Sequence, residues 1–347
     1  MNGENFLNRL SDLEGKVAVV SLGNPDPDAI ASAFALGKLL EFYGIDFDFL
    51  FESGIHRPEN QLLVNYLGIS IKQLGHGSLE SFDHVSLVDC NPSRLNPESE
   101  KGWVPDMTQK LFSIQDHHGI EDEDMEDLES RDVYIDVRPK LGSCATILGE
   151  LIQEAELEFD ENTATALYYG LHSDTNGFLR GYTRSDFLQV TNYVEKVDQE
   201  ALTNIIGTVM TSETFDLIHR VTDQDLYEVR GTFKFADAGT LDSKSKTAIP
   251  QVADLLLREE GVEGVVIAGV DIEEQVIVGS VRYSGSRFTA EEIAEKIADG
   301  NGSGGGHVEM GGFQLQPGVV RDTLESRSTQ DAIMDSIKRR FFNVVGK

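Results

Sequence analysis

Leu111-Phe112-Ser113-Ile114-Gln115-Asp116-His117-His118 decides how the first half of this chain is read. An apolar run of strand length ends in a carboxylate followed by two imidazoles. Two comparable endings lie upstream: Val17 to Val20 leads into Asn24-Pro25-Asp26-Pro27-Asp28, and Val85-Ser86-Leu87-Val88 is closed by Asp89. In an open α/β sheet the loops beyond the carboxyl ends of the strands meet at one crevice, so these side chains can converge there on a metal or ligand.

The segments around this stretch alternate in the same manner. Val17–Val20 is followed by a helical pattern over Ala29–Tyr43, the run Phe47–Phe51 and a helical stretch near Glu59–Leu67. Such alternation predicts βαβ units and a mostly parallel sheet flanked by helices. Gly142-Ser143-Cys144-Ala145-Thr146 opens another helix, and Asp160-Glu161-Asn162 caps the one over Thr163–His172, which stops at Ser173-Asp174-Thr175-Asn176-Gly177. After helical character from Ser185 to His219, the runs Tyr227–Phe235, Gly264–Val270 and Gln275–Val281 read as strands, with helices around Pro250–Glu260 and Ala290–Ala298. The expected fold class is α/β in two domains, 1–210 and 226–347, the second smaller. The boundary falls between about Met210 and Asp225. No internal period suggests a solenoid or propeller.

Among 347 residues, 60 Asp and Glu face 29 Lys and Arg, a formal charge of -31. At ordinary ionic strength this surface repels phosphate backbones; at ~1 M salt the Debye length is only ~3 Å and the repulsion vanishes. The charge reads as adaptation to a salt-rich cytoplasm. Only Cys90 and Cys144 are present, which argues against a disulfide framework or a cysteine-zinc site. No apolar run reaches the ~20 residues of a membrane span. A cytoplasmic protein without a membrane partner is expected.

Asp26 and Asp28 flank Pro27, so their carboxylates can reach one small region; the plain alternative is a Pro-Asp turn that caps the following helix. Asp89 before Asn91-Pro92 is, alone, an ordinary turn residue. Asp116-His117-His118-Gly119 is more specific. Carboxylate with neutral imidazole suits manganese, iron, cobalt or zinc better than calcium. Two divalent ions there would provide a hydroxide nucleophile and charge neutralisation for phosphoester hydrolysis. Ser303-Gly304-Gly305-Gly306-His307 reads either as a flexible linker or as a loop whose N–H groups cradle an anion. The acidic cluster Glu121 to Asp127 reads as a solvated loop, Cys144 as a small buried residue and His172 as a structural histidine.

The order and context of these motifs resemble the DHH phosphoesterase superfamily, which includes RecJ-type exonucleases, nanoRNase/pAp phosphatases, cyclic-dinucleotide phosphodiesterases and family II inorganic pyrophosphatases. The resemblance rests on Asn24-Pro25-Asp26-Pro27-Asp28-Ala29, Val88-Asp89, Asp116-His117-His118, Asp174 after a helix containing Tyr-Gly, and Gly304-Gly305-Gly306-His307. It implies two manganese ions bridged by Asp89. Asp28, His117 and Asp174 would complete one coordination sphere, and Asp26 would help hold the other. Catalytic roles then fall to Asp89, Asp116, His117 and His118. His118 would contact the scissile phosphate, Asp116 would orient an imidazole, and a water between the ions would attack phosphorus. The resemblance also implies a carboxyl-terminal DHH-associated domain in which Arg282 or Arg287, with Gly304, Gly305, Gly306 and His307, binds substrate across an interdomain cleft.

Leu22 departs from the pattern, since it stands where the family usually has a histidine ligand, four residues before Asp26. Glu309 departs too, in a stretch that is usually small and alanine-rich. The implied activity is manganese-dependent hydrolysis of short oligonucleotides, pAp-like nucleotides or linear dinucleotides. A nucleotide or short single strand is the expected partner, and a homodimer is left open. The alternatives are an inorganic pyrophosphatase, and a nucleotide- or nucleic-acid-binding protein whose metal site Leu22 has impaired.

Overall fold

The computed structural model describes residues 3–92, 103–207, 211–223, 226–306 and 308–346. The chain divides into two compact units, Met1–Thr208 and Val209–Lys347.

In the first unit the elements run α1 (Gly3–Ser11), β1 (Val17–Ser21), α2 (Pro27–Phe42), β2 (Phe47–Phe51), α3 (Pro58–Leu67), β3 (Ile71–Gln73) and β4 (His84–Val88). They continue through α4 (Val104–Lys110), β5 (Leu111–Asp116), α5 (Asp122–Glu129), β6 (Tyr134–Val137), α6 (Cys144–Glu154), α7 (Glu161–Asp174), α8 (Arg184–Tyr193) and α9 (Gln199–Ile206). The sheet has the order β3-β2-β1-β4-β5-β6, and every neighbouring pair is parallel. Parallel strands covered by helices on both faces are apolar throughout rather than alternating. Accordingly β1 is buried at every position. Val17 and Val19 join the layer containing Ile30, Leu36, Leu148 and Leu167, while Ala18 and Val20 join Leu79, Trp103, Met107 and Leu128 on the other face.

From β1 the chain moves outward to β2 and β3, then returns to place β4 on the other side of β1. This reversal makes β1 and β4 the topological switch point, beyond whose carboxyl ends ligands bind in doubly wound sheets. Asp26 and Asp28 follow β1, and Asp89 follows β4. The helix carrying Asp28 is fixed in place from its start. Asp26 is the N-cap of α2, its Oδ1 accepting from the Ala29 N–H at 2.9 Å, and Pro27 opens the first turn.

The second unit comprises α10 (Ser212–Val221), β7 (Tyr227–Arg230), β8 (Phe233–Leu241), α11 (Ser243–Leu257), β9 (Gly264–Asp271), β10 (Val276–Tyr283), α12 (Ala290–Ala298), β11 (Gly302–Gly306), β12 (Met310–Leu315) and α13 (Arg327–Val345). Its sheet, β11-β12-β10-β9-β8-β7, is antiparallel except between β8 and β9. Leu217 and Val252 pack with Ile267 on one face; Ile293, Ile337 and Phe341 pack with Val266 and Val281 on the other.

Three local readings change here. Tyr227–Phe235 is a hairpin rather than one strand, because Gly231 turns the chain at φ +60°. The helix read from Pro250 begins at Ser243, capped by Asp242, and passes through Pro250. The glycine run is an edge strand rather than a loop: Gly302–Gly306 pairs with Gly311–Leu315. Its glycines are needed for packing, since a Cβ on Gly304 would collide with the Ala294 carbonyl of α12 and one on Gly302 with that of Gln314. Among the described residues, no helix is long and apolar enough to cross a membrane.

Candidate metal centre

Three of the strand-end loops and the end of α7 bring their side chains to one point. His117 Nε2 lies 3.2 Å from Asp174 Oδ2, 3.5 Å from Asp89 Oδ1 and 3.7 Å from Asp28 Oδ2. Asp28, His117 and Asp174 form one group of potential ligand atoms mutually within 4.8 Å, and Asp89, His117 and His118 form a second. His117 belongs to both. Its Nδ1 contacts the Leu141 carbonyl at 3.2 Å, which turns Nε2 toward the carboxylates.

Asp89 sits at φ +54°, a left-handed conformation that Asp adopts more readily than most residues. Its N–H bonds the Gln115 carbonyl at 2.9 Å, so the backbone kinks while still tied to the β5 strand. Asp28 is wholly buried against the start of α6. Its Oδ1 accepts from Ser143 Oγ at 2.7 Å and the Ala145 N–H at 2.9 Å, and its Oδ2 accepts from the Cys144 N–H at 2.7 Å. Helix N-terminal amides favour a negative charge, so α6 stabilises Asp28 as a carboxylate. Gly170 on α7 allows the approach, since a Cβ there would lie 3.1 Å from Asp28 Oδ1.

The electrostatics describe crowded like charges. Burial, then the charges of Asp28, Asp26, Asp174 and Asp116, raise the Asp89 carboxyl well above its usual range. Burial and the Asp26 and Asp28 charges push Asp174 up to about 7. Burial raises Asp28 against the pull of His117 and its hydrogen-bond donors. For His117 burial opposes the charge, but Asp174 and Asp28 outweigh it and push the imidazole up to about 10. Asp89 Oδ1 and His117 Nε2 are both buried and lack a hydrogen-bond partner among the described residues. Buried polar atoms are almost always satisfied, so two orphans facing each other among carboxylates fit a divalent cation that would ligate them. Mixed carboxylate and imidazole donors match manganese, iron, cobalt or zinc.

Asp116 does not face this point directly. Its Oδ1 accepts from His118 Nδ1 at 2.8 Å, and its Oδ2 from Asn91 Nδ2 at 2.6 Å. Burial opposes the Asp116 charge, but His118 and Asn91 outweigh it and hold the carboxyl below its usual range. Asp26, though close enough for its charge to act on Asp28, Asp89 and Asp174, belongs to neither ligand group and caps α2. Leu22 is buried with Leu50, Leu74 and Leu79 and supplies no donor atom. Cys144 is buried, its thiol pushed well up by burial and neighbouring carboxylates, which removes it as a nucleophile. His172 stacks on Tyr168 and is lowered by burial. The acidic cluster after Gly119 opens α5, where acids suit the helix start.

In the second unit, Arg282 is buried on the α11 face of β10. Its guanidinium bonds Asp254 at 2.5 Å, Ser280 Oγ at 2.8 Å and the Val281 carbonyl at 3.1 Å. Arg287 is exposed, lies over Phe288 and donates to the Val345 carbonyl. Gly304, Gly305 and Gly306 lie on β11 as described, and His307 falls outside the described residues. Sequence reading missed Asn91, which would have passed as a turn residue, and Ser143, which was legible only as a helix start.

The protein-family model described as the DHH family N-terminal domain matches residues 16–171, and that of the DHHA1 domain matches residues 238–328. An uncharacterized protein of Methanocaldococcus jannaschii is 28% identical over 323 residues, covering 93% of this chain and 63% of that protein. A probable manganese-dependent inorganic pyrophosphatase of Streptococcus equi subsp. zooepidemicus is 28% identical over 163 residues, 46% of this chain and 48% of that protein. The chain thus matches between about half and two thirds of the length of these relatives. In fold it is similar to an exopolyphosphatase-related protein from Bacteroides fragilis, with a TM-score of 0.70, 16% identity and 97% of each chain covered. It is also similar to RecJ from Thermus thermophilus in complex with Mn2+, with a TM-score of 0.51, 13% identity, and coverage of 97% of this chain and 54% of that one. With one model spanning β1 into α7 and the other following in the second unit, the two matches together cover most of the chain, which belongs to the DHH superfamily and carries a C-terminal DHHA1 domain.

Proposed function

We propose that this chain is a manganese-dependent phosphoesterase acting on short oligonucleotides, pAp-like nucleotides or linear dinucleotides in a salt-rich cytoplasm. The observation that carries the reading is the pair of buried, unpartnered atoms, Asp89 Oδ1 and His117 Nε2, facing each other between Asp28 and Asp174. Asp28, Asp89, His117 and Asp174 would hold the cation, with His118 beside Asp89 at 3.7 Å. A divalent ion bound there supplies charge neutralisation to the phosphoryl group and a nucleophilic water at neutral pH. The chain's own groups do the rest. Asp116 fixes the His118 ring through Nδ1, directing the opposite nitrogen away from Asp116 and toward a phosphoryl oxygen. The α6 N-terminus donates to Asp28 and opposes the rise that burial imposes on it, and the kinked Asp89 backbone aims its carboxylate at His117.

Inorganic pyrophosphatase is the second reading, favoured by the Streptococcus relatives, whose match covers 46% of this chain. A panel of pAp, dinucleotides, longer single strands, cyclic dinucleotides and pyrophosphate, with Mn2+ at several KCl concentrations, separates the readings. The expected result is cleavage of the nucleotide substrates, lost by ~10³-fold or more in Asp89→Ala, as removal of an essential ligand implies. Cleavage of pyrophosphate alone would shift the reading to the relatives' activity. No cleavage, or full activity in Asp89→Ala, would sink it.

A further inference from the structure

We infer that Phe178, Tyr182 and Phe187 form a platform on which a nucleobase stacks, beside the metal centre and within the same unit. This inference rests on the nucleotide reading of that centre and names the part of the substrate the unit grips besides phosphate.

The three rings form a closed triangle. Phe178 and Phe187 have centroids 5.1 Å apart, Tyr182 and Phe187 5.1 Å, and Phe178 and Tyr182 6.5 Å. Phe178 is half-buried and backed by Tyr168 and His172. Tyr182 and Phe187 each keep 46% of their surface open, with Leu179 exposed beside them. Aromatic rings of this size normally bury their faces, so an ordered and exposed cluster marks a binding surface.

The segment that carries the rings is built rather than slack. It begins next to Asp174 at Thr175, whose Oγ1 donates to the Leu171 carbonyl and accepts from the Phe178 N–H. Phe178 is held at φ +62°, rare for a bulky side chain. At the far end, buried Asp186 accepts from the Thr183 N–H and hydroxyl and, across the chain, from the Gly142 N–H and Thr146 Oγ1. These bonds tie the start of α8 to the segment 142–146. A Cβ on Gly142 would lie 3.2 Å from the Gly181 carbonyl, next to Tyr182. Gly142 in turn adjoins Leu141, whose carbonyl holds His117, and Ser143, which holds Asp28.

Charge selects the occupant. Asp and Glu outnumber Lys and Arg 37 to 14 in residues 1–208. The run from Thr175 to Ser185 nevertheless contains Arg180 and Arg184 and no acid. Aromatic rings interleaved with arginine suit a ligand that presents both a flat π-face and negative charge, which is a nucleotide rather than an apolar peptide.

The test measures base recognition apart from chemistry. A 2-aminopurine nucleoside 5′-monophosphate, whose fluorescence is quenched by stacking, is bound to the full chain with Mn2+ and in EDTA, and displaced with AMP or ribose 5-phosphate. AMP is expected to compete roughly 5- to 150-fold better than ribose 5-phosphate, the range for stacking one base. The Tyr182→Ala/Phe187→Ala double variant is expected to lose that preference and Tyr182→Phe to keep it. Should the double variant not fold, Tyr182→Ala alone must reduce the preference. Equal competition by the two ligands in the wild type, or an unchanged preference in the variants, overturns the inference. So does a wild-type dimer in sedimentation that the variants dissolve while base preference persists, since the rings would then be a self-association surface. Base preference in EDTA is read without hydrolysis, so failure of the phosphoesterase reading appears separately as absence of Mn2+-dependent cleavage.

Discussion

An imidazole surrounded by three carboxylates titrates as a cluster, and its protons compete with any cation for the same atoms. In the metal-free protein His117 is raised from 6.5 to about 10, so its contribution to stability is present below 6.5 and lost as pH rises through 10. Asp174 is raised from 3.8 to about 7, so the folded state favours its protonated form and loses stability as pH rises from 3.8 to about 7. Both act in one direction. Cation binding requires the deprotonated ligands and offsets their repulsion, so the melting-temperature difference between Mn2+ and EDTA samples is expected to widen from about pH 5 to about pH 9. Calorimetry at both pH values checks this; a difference independent of pH would contradict the ligand assignment. At this scale the sequence was informative about which residue types converge, because Asp28, Asp89, His117 and Asp174 each lie at the boundary of a recognisable element. It was uninformative about the partner of Arg282, since the face a strand residue occupies depends on what packs above it, here α11 and Asp254.

Helix α6 contributes to the centre through its end rather than through a ligand. The amides of Cys144 and Ala145 and the Ser143 hydroxyl all donate to Asp28, so the helix start determines how that carboxylate is oriented. Ser143→Ala removes one donor and leaves the two amides. Loss of such an orienting partner weakens metal affinity by ~10-fold or more, measurable as the Mn2+ dissociation constant by calorimetry or electron paramagnetic resonance. Ser143→Thr, which retains the hydroxyl, is expected to restore most of it; equal affinity in all three proteins would show that Ser143 only caps the helix. The same scale explains the readings that changed. Apolar continuity hides a turn, so Tyr227–Phe235 reads as one strand until Gly231 bends it. A glycine run carries no side-chain period, so only pairing with β12 and contact with α12 reveal β11 as a strand.

For the whole molecule the dominant quantity is the charge of -31. Self-repulsion destabilises a compact state, and salt screens it, with a Debye length of ~10 Å at 0.1 M and ~3 Å at 1 M. The melting temperature is therefore expected to rise by several degrees between about 0.1 M and about 1 M KCl. The first unit, with its larger acidic excess, should be the more sensitive, which scanning calorimetry resolves if the two units melt separately. Salt-independent melting would rule out self-repulsion as a limiting term. Composition, the alternation of strands and helices, and the candidate ligands that the family resemblance singles out were legible in the sequence alone, because each depends on local propensity, residue chemistry or motif order. The centre itself was decided by tertiary structure. Ser143 reaches Asp28 across 115 positions, its neighbours act through backbone amides common to every residue, and the exposed rings beside them follow no period. Such contacts depend on the path the chain takes between elements, and that path is set by packing of the whole sheet and its helices rather than by any local run of residues.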